Sequence, residues 1–285
     1  MRSLVLKLKK NGFYIIGLDS SKFGLADKFC DEFYKAPKGN DKDFPKFLNK
    51  ISSKVEAIYL YVDEEIENIS KNIKNFPNLI KKVILSPRKT LQICNNKRSF
   101  HNFFKNTKIK IPPINSRGLN IIKPSAGRGG KNIFTSKEKS VAKLFKNNSK
   151  YLVQKYIFGT EYTVDSVFDK NGNLIFAIPR KRIVAQNVSI VGMVKNHKKL
   201  IKKIKQISLY LRFYGPINFQ FIENNEGIWL IEINPRLSGS VIFSIISGFN
   251  PVTLSYQIHL NKKIILPKKI NYNETHYRYW DSISQ

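Results

Sequence analysis

The stretch IWLIEINPRLSGS, residues 228–240, decides how the chain is read. Ile228 to Ile233 is a run of branched and aromatic residues broken by a single carboxylate, the composition of a strand. Side chains alternate on a strand, so Glu232 and Asn234 share one face while Ile231 and Ile233 point to the other. Pro235 removes a backbone donor and ends the strand, and Arg236 follows two residues after Asn234. A carboxylate and an amide oxygen side by side are hard donors that suit Mg²⁺ held together with phosphates. Just upstream, Ile217–Glu223 reads as a partner strand, joined through Asn224-Asn225-Glu226-Gly227 in a hairpin. That hairpin brings Gln220 beside Glu232 and Asn234, three oxygen donors with an arginine close by.

Two further segments carry chemistry. IIKPSAGRGGKNIF, residues 121–134, is a strand that delivers Lys123 into a loop containing Gly127, Arg128, Gly129 and Gly130. Glycines let backbone amides approach phosphate oxygens, and the cations neutralise their charge. It is neither a Walker A loop nor a dinucleotide GxGxxG, and a hairpin tip with stray cations would look similar. YLVQKYIFGTEYTVDSVFD, residues 151–169, runs as strand, turn and strand through Gln154, Lys155, Tyr156, Ile157 and Glu161. Its spacing alone is equally that of an ordinary β-turn-β unit.

Around these, the periodicity divides the chain. Residues 3–10 read as a short helix, 14–18 and 57–62 as strands, 44–51 and 63–67 as helical, and 83–85 as a third strand. Alternating strands and helices argue for a parallel α/β unit. After Pro112-Pro113 the texture changes: 120–123, 151–154, 161–169 and 174–179 are strands, with Asn171-Gly172 a tight turn between the last two, and 198–211 is helical. Strands joined by tight turns must be antiparallel.

Composition sets outer limits. The 285 residues are 42% hydrophobic, 12% aromatic and 25% charged, a globular balance that excludes wholesale disorder. No apolar run is long enough to span a bilayer, and lysines interrupt the N-terminal MRSLVLKLKK at once, so the expected location is the cytoplasm. Two cysteines, Cys30 and Cys94, supply neither a disulfide framework nor a zinc site. The net charge of +30 raises nucleic acid as a partner. Of the 50 basic residues only 10 are Arg, however, and no nucleic-acid module is visible, so a basic binder is the third reading.

Taken in order, the three segments resemble the ATP-grasp superfamily, in particular the ligases similar to the large subunit of carbamoyl phosphate synthase. GPINFQFI (215–222) with LIEINPRLSGS (230–240) is the most specific part of the resemblance. The Gly loop comes next, and Asn96-Lys97-Arg98 is weaker. Residues 14–29, YIIGLDSSKFGLADKF, resemble the small α/β domain that precedes such folds. The resemblance implies an α/β plus α+β architecture. A truncated Rossmann-like pre-ATP-grasp domain would span residues 1–85, its first strand absent, and a two-subdomain ATP-grasp fold residues 86–285.

The same resemblance implies roles. Lys97 and Lys123 would contact ATP, Gly127 to Gly130 would fold over its phosphates, and Gln154, Lys155, Tyr156 and Ile157 would meet adenine through backbone groups. Glu161 would bind the ribose. Gln220, Glu232 and Asn234 would hold Mg²⁺, with Mn²⁺ able to replace it. Arg236 would hold the transferring phosphoryl group, and Arg180 and Arg182, on one face of an extended segment, the substrate carboxylate. The implied activity is ATP-dependent activation of a carboxylate as an acyl phosphate for attack by an amine; a homodimer is compatible with it and a membrane is not. The departures are Asn96 where Asp is usual, Lys155 where Glu is frequent, and Asn132 where Gly is common; Asn96 and Lys155, with the absent first strand, motivate a second reading, an ATP-binding protein without ligase turnover.

Overall fold

Leu4, Val5 and Leu8 recur at helical spacing and are the buried residues of α1 (Arg2–Lys10), which opens the chain. The computed structural model describes residues 2–21, 24–114, 117–127, 132–146, 148–186, 188–279 and 282. Two short parallel strands follow, β1 (Ile16–Asp19) and β2 (Glu32–Lys35). Helices α2 (Phe44–Ser52), α3 (Asp63–Asn72) and α4 (Pro77–Ile80) then close a small core of Phe44, Leu48, Ile66, Ile69 and Leu79. The chain continues through α5 (Arg88–Asn95) and α6 (Lys97–Phe104).

The expected strands at 57–62 and 83–85 are corrected here. Among the described residues they share one parallel bridge, Ile58 with Val83. The reason is local: the amides of Tyr61 and Val62 turn to the Glu65 carboxylate, 3.3 and 3.2 Å away, which caps α3 and draws them out of any ladder. Strand β2 has no counterpart in the sequence reading, because its four residues, EFYK, are too few and too charged to signal one.

A small antiparallel sheet of β3 (Asn120–Pro124), β4 (Phe134–Ser136) and β5 (Tyr151–Lys155), in the order β4-β3-β5, carries α7 (Lys139–Lys146). The large sheet comprises β6 (Thr160–Phe168), β7 (Leu174–Gln186), β8 (Val188–Val194), β9 (Gly215–Asn224), β10 (Gly227–Asn234) and β11 (Thr275–Tyr277), ordered β10-β9-β6-β7-β8-β11. Helix α8 (Lys198–Ser208) lies between β8 and β9, and α9 (Ile242–Ile246) and α10 (Pro251–His259) follow β10. β7 runs on past Pro179, and β8 was not foreseen; together they form a long antiparallel ribbon.

Alternation splits the large sheet into two unlike faces. Tyr162, Val164, Phe168, Ile217, Phe219 and Phe221 point one way and pack on Leu200, Ile204 and Ile207 of α8, with Phe100 and Phe104 of α6 in the same core. The register sets Thr163 opposite Arg180 and Gln220, and Glu232 opposite Gln220, and Arg182 pairs with Glu161 on the same side, so the other face is polar. Toward α10 that face becomes apolar again at Val167, Ile178 and Val194 under Phe249 and Leu254.

Candidate functional site

On the polar face, β9 and β10 place Gln220 directly across from Glu232, with Asn234 two residues further on. Directly paired residues have Cβ atoms about 5 Å apart, so three oxygen donors converge on one partly accessible patch. A register shift between Leu230 and Glu232 sets the turn of the strand there. Among the described residues the carboxylate of Glu232 has no hydrogen-bond or ion-pair partner, and neither has the Gln220 amide. Unpaired oxygen donors on an accessible face are the chemistry a hard cation completes.

Lys123 arrives from the small sheet. It is buried (8% exposed), it makes no hydrogen bond or ion pair among the described residues, and the opposite charge that acts on it is that of Glu232. Burial pushes its pKa down to about 8; Glu232 opposes the shift and Lys97 adds to it. Lys97 itself donates from Nζ to the Gly127 carbonyl at 2.9 Å, which ties α6 to the start of the Gly-rich segment. Gly127 has φ +105, a conformation open to glycine. Arg128, Gly129 and Gly130 lie outside the described residues.

A lysine held near pH 8 by burial recovers its charge when an anion binds beside it. Above about pH 8 anion binding therefore takes up protons. Titration calorimetry of MgADP binding at about pH 8.5, in buffers of differing ionisation enthalpy, should register this uptake. Near pH 7 it should vanish, as it should in Lys123→Met; uptake unchanged in that variant would assign the proton elsewhere. Folding linkage runs in the same direction: between about 8 and the ordinary 10.5 the unfolded chain holds the extra proton, so stability rises with pH across that window.

The expected hinge residues meet different fates. The Gln154 side chain is buried and donates to the Pro112 carbonyl at 3.1 Å, with His101 Nδ1 at 3.3 Å. Lys155 pairs with Glu226 at 3.2 Å, and the amides of Lys155 and Tyr156 go to the carbonyls of Pro113 and Leu119. The amide of Ile157 has no backbone acceptor among the described residues. Gly159 passes so close to β9 that a Cβ there would lie 2.4 Å from the Glu223 carbonyl, so only glycine fits.

Arg180 does face the polar side, but its fork is spent, which corrects the expectation that it binds a substrate carboxylate. It is 1% exposed, with Nε 2.9 Å from Asp165, one terminal nitrogen 3.0 Å from Ser240 and the other 2.9 Å from Ser238. Ser244 and Asn218 complete the shell of Asp165. This buried network anchors the loop after Asn234 from below. Arg182 pairs with Oε1 of Glu161, leaving Oε2 of that carboxylate without a partner among the described residues. Arg236 donates to Asp63 at 2.6 Å and to the Asn234 side-chain oxygen at 3.3 Å.

A family model described as "ATP-grasp in the biosynthetic pathway with Ter operon" matches residues 147–278. The N5-carboxyaminoimidazole synthetase of Staphylococcus aureus superposes over 96% of this chain and 77% of its own, with TM-score 0.75 and 15% identity. The chain carries an ATP-grasp fold. Biotin carboxylase from Campylobacter jejuni, solved as a β-γ-ATP complex, covers 95% of this chain and 71% of its own at TM-score 0.71 and 15% identity. In sequence, the carbamoyl phosphate synthase large chain of Clostridium acetobutylicum is 32% identical over 123 residues, 40% of this chain. The match spans 12% of that protein's length. Among the described residues no helix is long and apolar enough to cross a membrane.

Within this ATP-grasp fold, Asp63 is the residue that the sequence reading missed. It is an acid in the first turn of α3, and helix-dipole logic accounted for it fully, so nothing in its spacing pointed across the molecule to Arg236. The ion pair sets where the guanidinium points. Asp63→Asn should lower kcat about tenfold with KM for ATP little changed, as loss of an orienting partner does. Steady-state kinetics check this, and an unchanged kcat would make the pair merely structural.

Proposed function

We propose that this chain binds MgATP on the polar sheet face and uses it to activate a carboxylate for attack by an amine. The single observation that carries the reading is Lys123: a buried ammonium without a hydrogen-bonding partner, facing a free carboxylate on the Gln220–Glu232–Asn234 patch. A lone buried cation is costly unless a ligand compensates it. A triphosphate with a divalent cation compensates both charges at once. Gln220, Glu232 and Asn234 would hold Mg²⁺, which supplies charge neutralisation on the phosphates. Lys97 and Lys123 would bind the phosphates beside Gly127, the Ile157 amide and nearby hinge backbone would receive the base, and Glu161 the ribose. We take residues 1–85 as the small α/β unit that precedes such folds and 86–285 as the ATP-grasp unit.

In the first step a carboxylate oxygen attacks the γ-phosphorus, the bond to the bridging oxygen breaks, and ADP leaves with that electron pair. Arg236 is placed to neutralise the transferring group and Arg182 to orient the carboxylate. In the second, an amine attacks the acyl carbon, loses a proton, and inorganic phosphate departs. Related folds include an L-amino acid ligase from Bacillus licheniformis, at TM-score 0.66 and 11% identity, so amino acids are the first carboxylates to test.

The test is phosphate release from MgATP across a panel of amino acids, with ¹⁸O in the carboxylate of any active one. A rise of at least about tenfold over the acid-free background, with ¹⁸O appearing in phosphate, is expected. Tight MgATP binding with no acid able to raise release would instead select the reading of a nucleotide binder without turnover, which the saturated Arg180 fork favours.

A further inference from the structure

At the seam between the N-terminal helices and the large sheet lies a cavity of about 490 Å³ that the nucleotide reading does not use. Tyr214, in its wall, is six residues before Gln220, so the two regions are about 20 Å apart along β9. Its floor is apolar, with Ile73, Leu85 and Leu91. Its rim carries Lys81, Arg88, Lys170 and His259, and among the described residues no carboxylate lines it. Arg88 has no hydrogen-bonding or acidic partner among the described residues, and Lys170 reaches only the neutral Asn261 side chain, at 2.8 Å. His259 Nδ1 lies 2.7 Å from the Tyr214 hydroxyl. The other ring nitrogen is buried and reaches the Lys81 backbone only weakly, short of hydrogen-bond geometry.

Scattered lysines explain a basic surface, but not three cationic side chains, Lys81, Arg88 and Lys170, around one apolar hollow. The volume is that of a small-molecule site, and its walls combine hydrophobic area with a few convergent polar groups. Uncompensated positive charge around such a hollow focuses the field inward. We propose that this cavity binds a small organic anion, an apolar or aromatic body bearing one phosphate or carboxylate, at a site separate from the nucleotide. Its walls come from α3–α5 and the segment after them on one side, and from α10 with the loops leading into β7 and β9 on the other, so an occupant would bridge the two.

The experiment titrates 1-naphthyl phosphate and 1-naphthoate into the full chain by calorimetry, with 1-naphthol as the uncharged control and with or without saturating MgADP. Saturable binding of at least one anion, no binding of 1-naphthol, and no displacement by MgADP are expected. Arg88→Glu and Lys170→Glu should each weaken the anion at least about tenfold while MgADP binding and the unfolding midpoint stay unchanged. The tighter of the two anions identifies the head group. The proposal fails if 1-naphthol binds as well as the anions, if MgADP displaces them, if both charge reversals leave affinity unchanged, or if neither anion binds below about 1 mM.

Discussion

Glu232→Gln should abolish carboxylate-dependent phosphate release, by at least about a thousandfold in kcat, while leaving the fold intact. The substitution keeps shape and removes one charge from the only carboxylate of the proposed metal patch. The carboxylate has no hydrogen-bond partner among the described residues, so its loss leaves no orphaned group in the protein. Lys123 would feel the change at once, since Glu232 is the charge that opposes its burial. Proton uptake on binding nucleotide should therefore grow near neutral pH in the variant. Normal turnover in Glu232→Gln would remove the metal patch from the account.

The largest loss of stability is expected at Arg180→Met. Asp165 would remain as a carboxylate in a site where Arg180 is 1% exposed and Asp165 3% exposed. Breaking one partner of a buried pair costs about 3–5 kcal/mol, a large part of the stability of a typical domain. The double variant Arg180→Met/Asp165→Leu should regain most of that, because the desolvation penalty goes with the charges. Urea unfolding measures both. If the single variant unfolds like the parent, the network through Ser238, Ser240 and Ser244 does not secure the loop that carries Arg236.

How far the sequence reached depended on the range of the interaction. The β9–β10 hairpin was legible because its turn residues and its alternation are local, and the pairing of Gln220 with Glu232 followed from them. The strand β7 was foreseen only to Pro179, although Ile183 to Val194 also alternates; without a turn signal at 187 the ribbon had no visible reversal. Partnership was the least legible. Arg180 and Arg182 share a face as expected, yet their partners come from elsewhere in the chain: Asp165 and a set of serines around Arg180, Glu161 beside Arg182. Asn96 illustrates the reverse case: unusual for the family, it still caps α6 by accepting from the amides of Arg98 and Ser99, a role Asn and Asp fill equally well.

We take the polar face of the large sheet, with Lys123 close to Glu232, as a MgATP site. Equilibrium binding of a non-hydrolysable ATP analogue, with and without Mg²⁺, tests it most directly. Saturable binding tighter than about 100 μM that strengthens with Mg²⁺ is expected. In Glu232→Gln the analogue should still bind but lose its response to the cation, and in Lys123→Met affinity should fall about 10- to 100-fold while stability rises, since a buried unpaired charge has been removed. No saturable binding in the parent chain, or a Mg²⁺ response unchanged in Glu232→Gln, would contradict it.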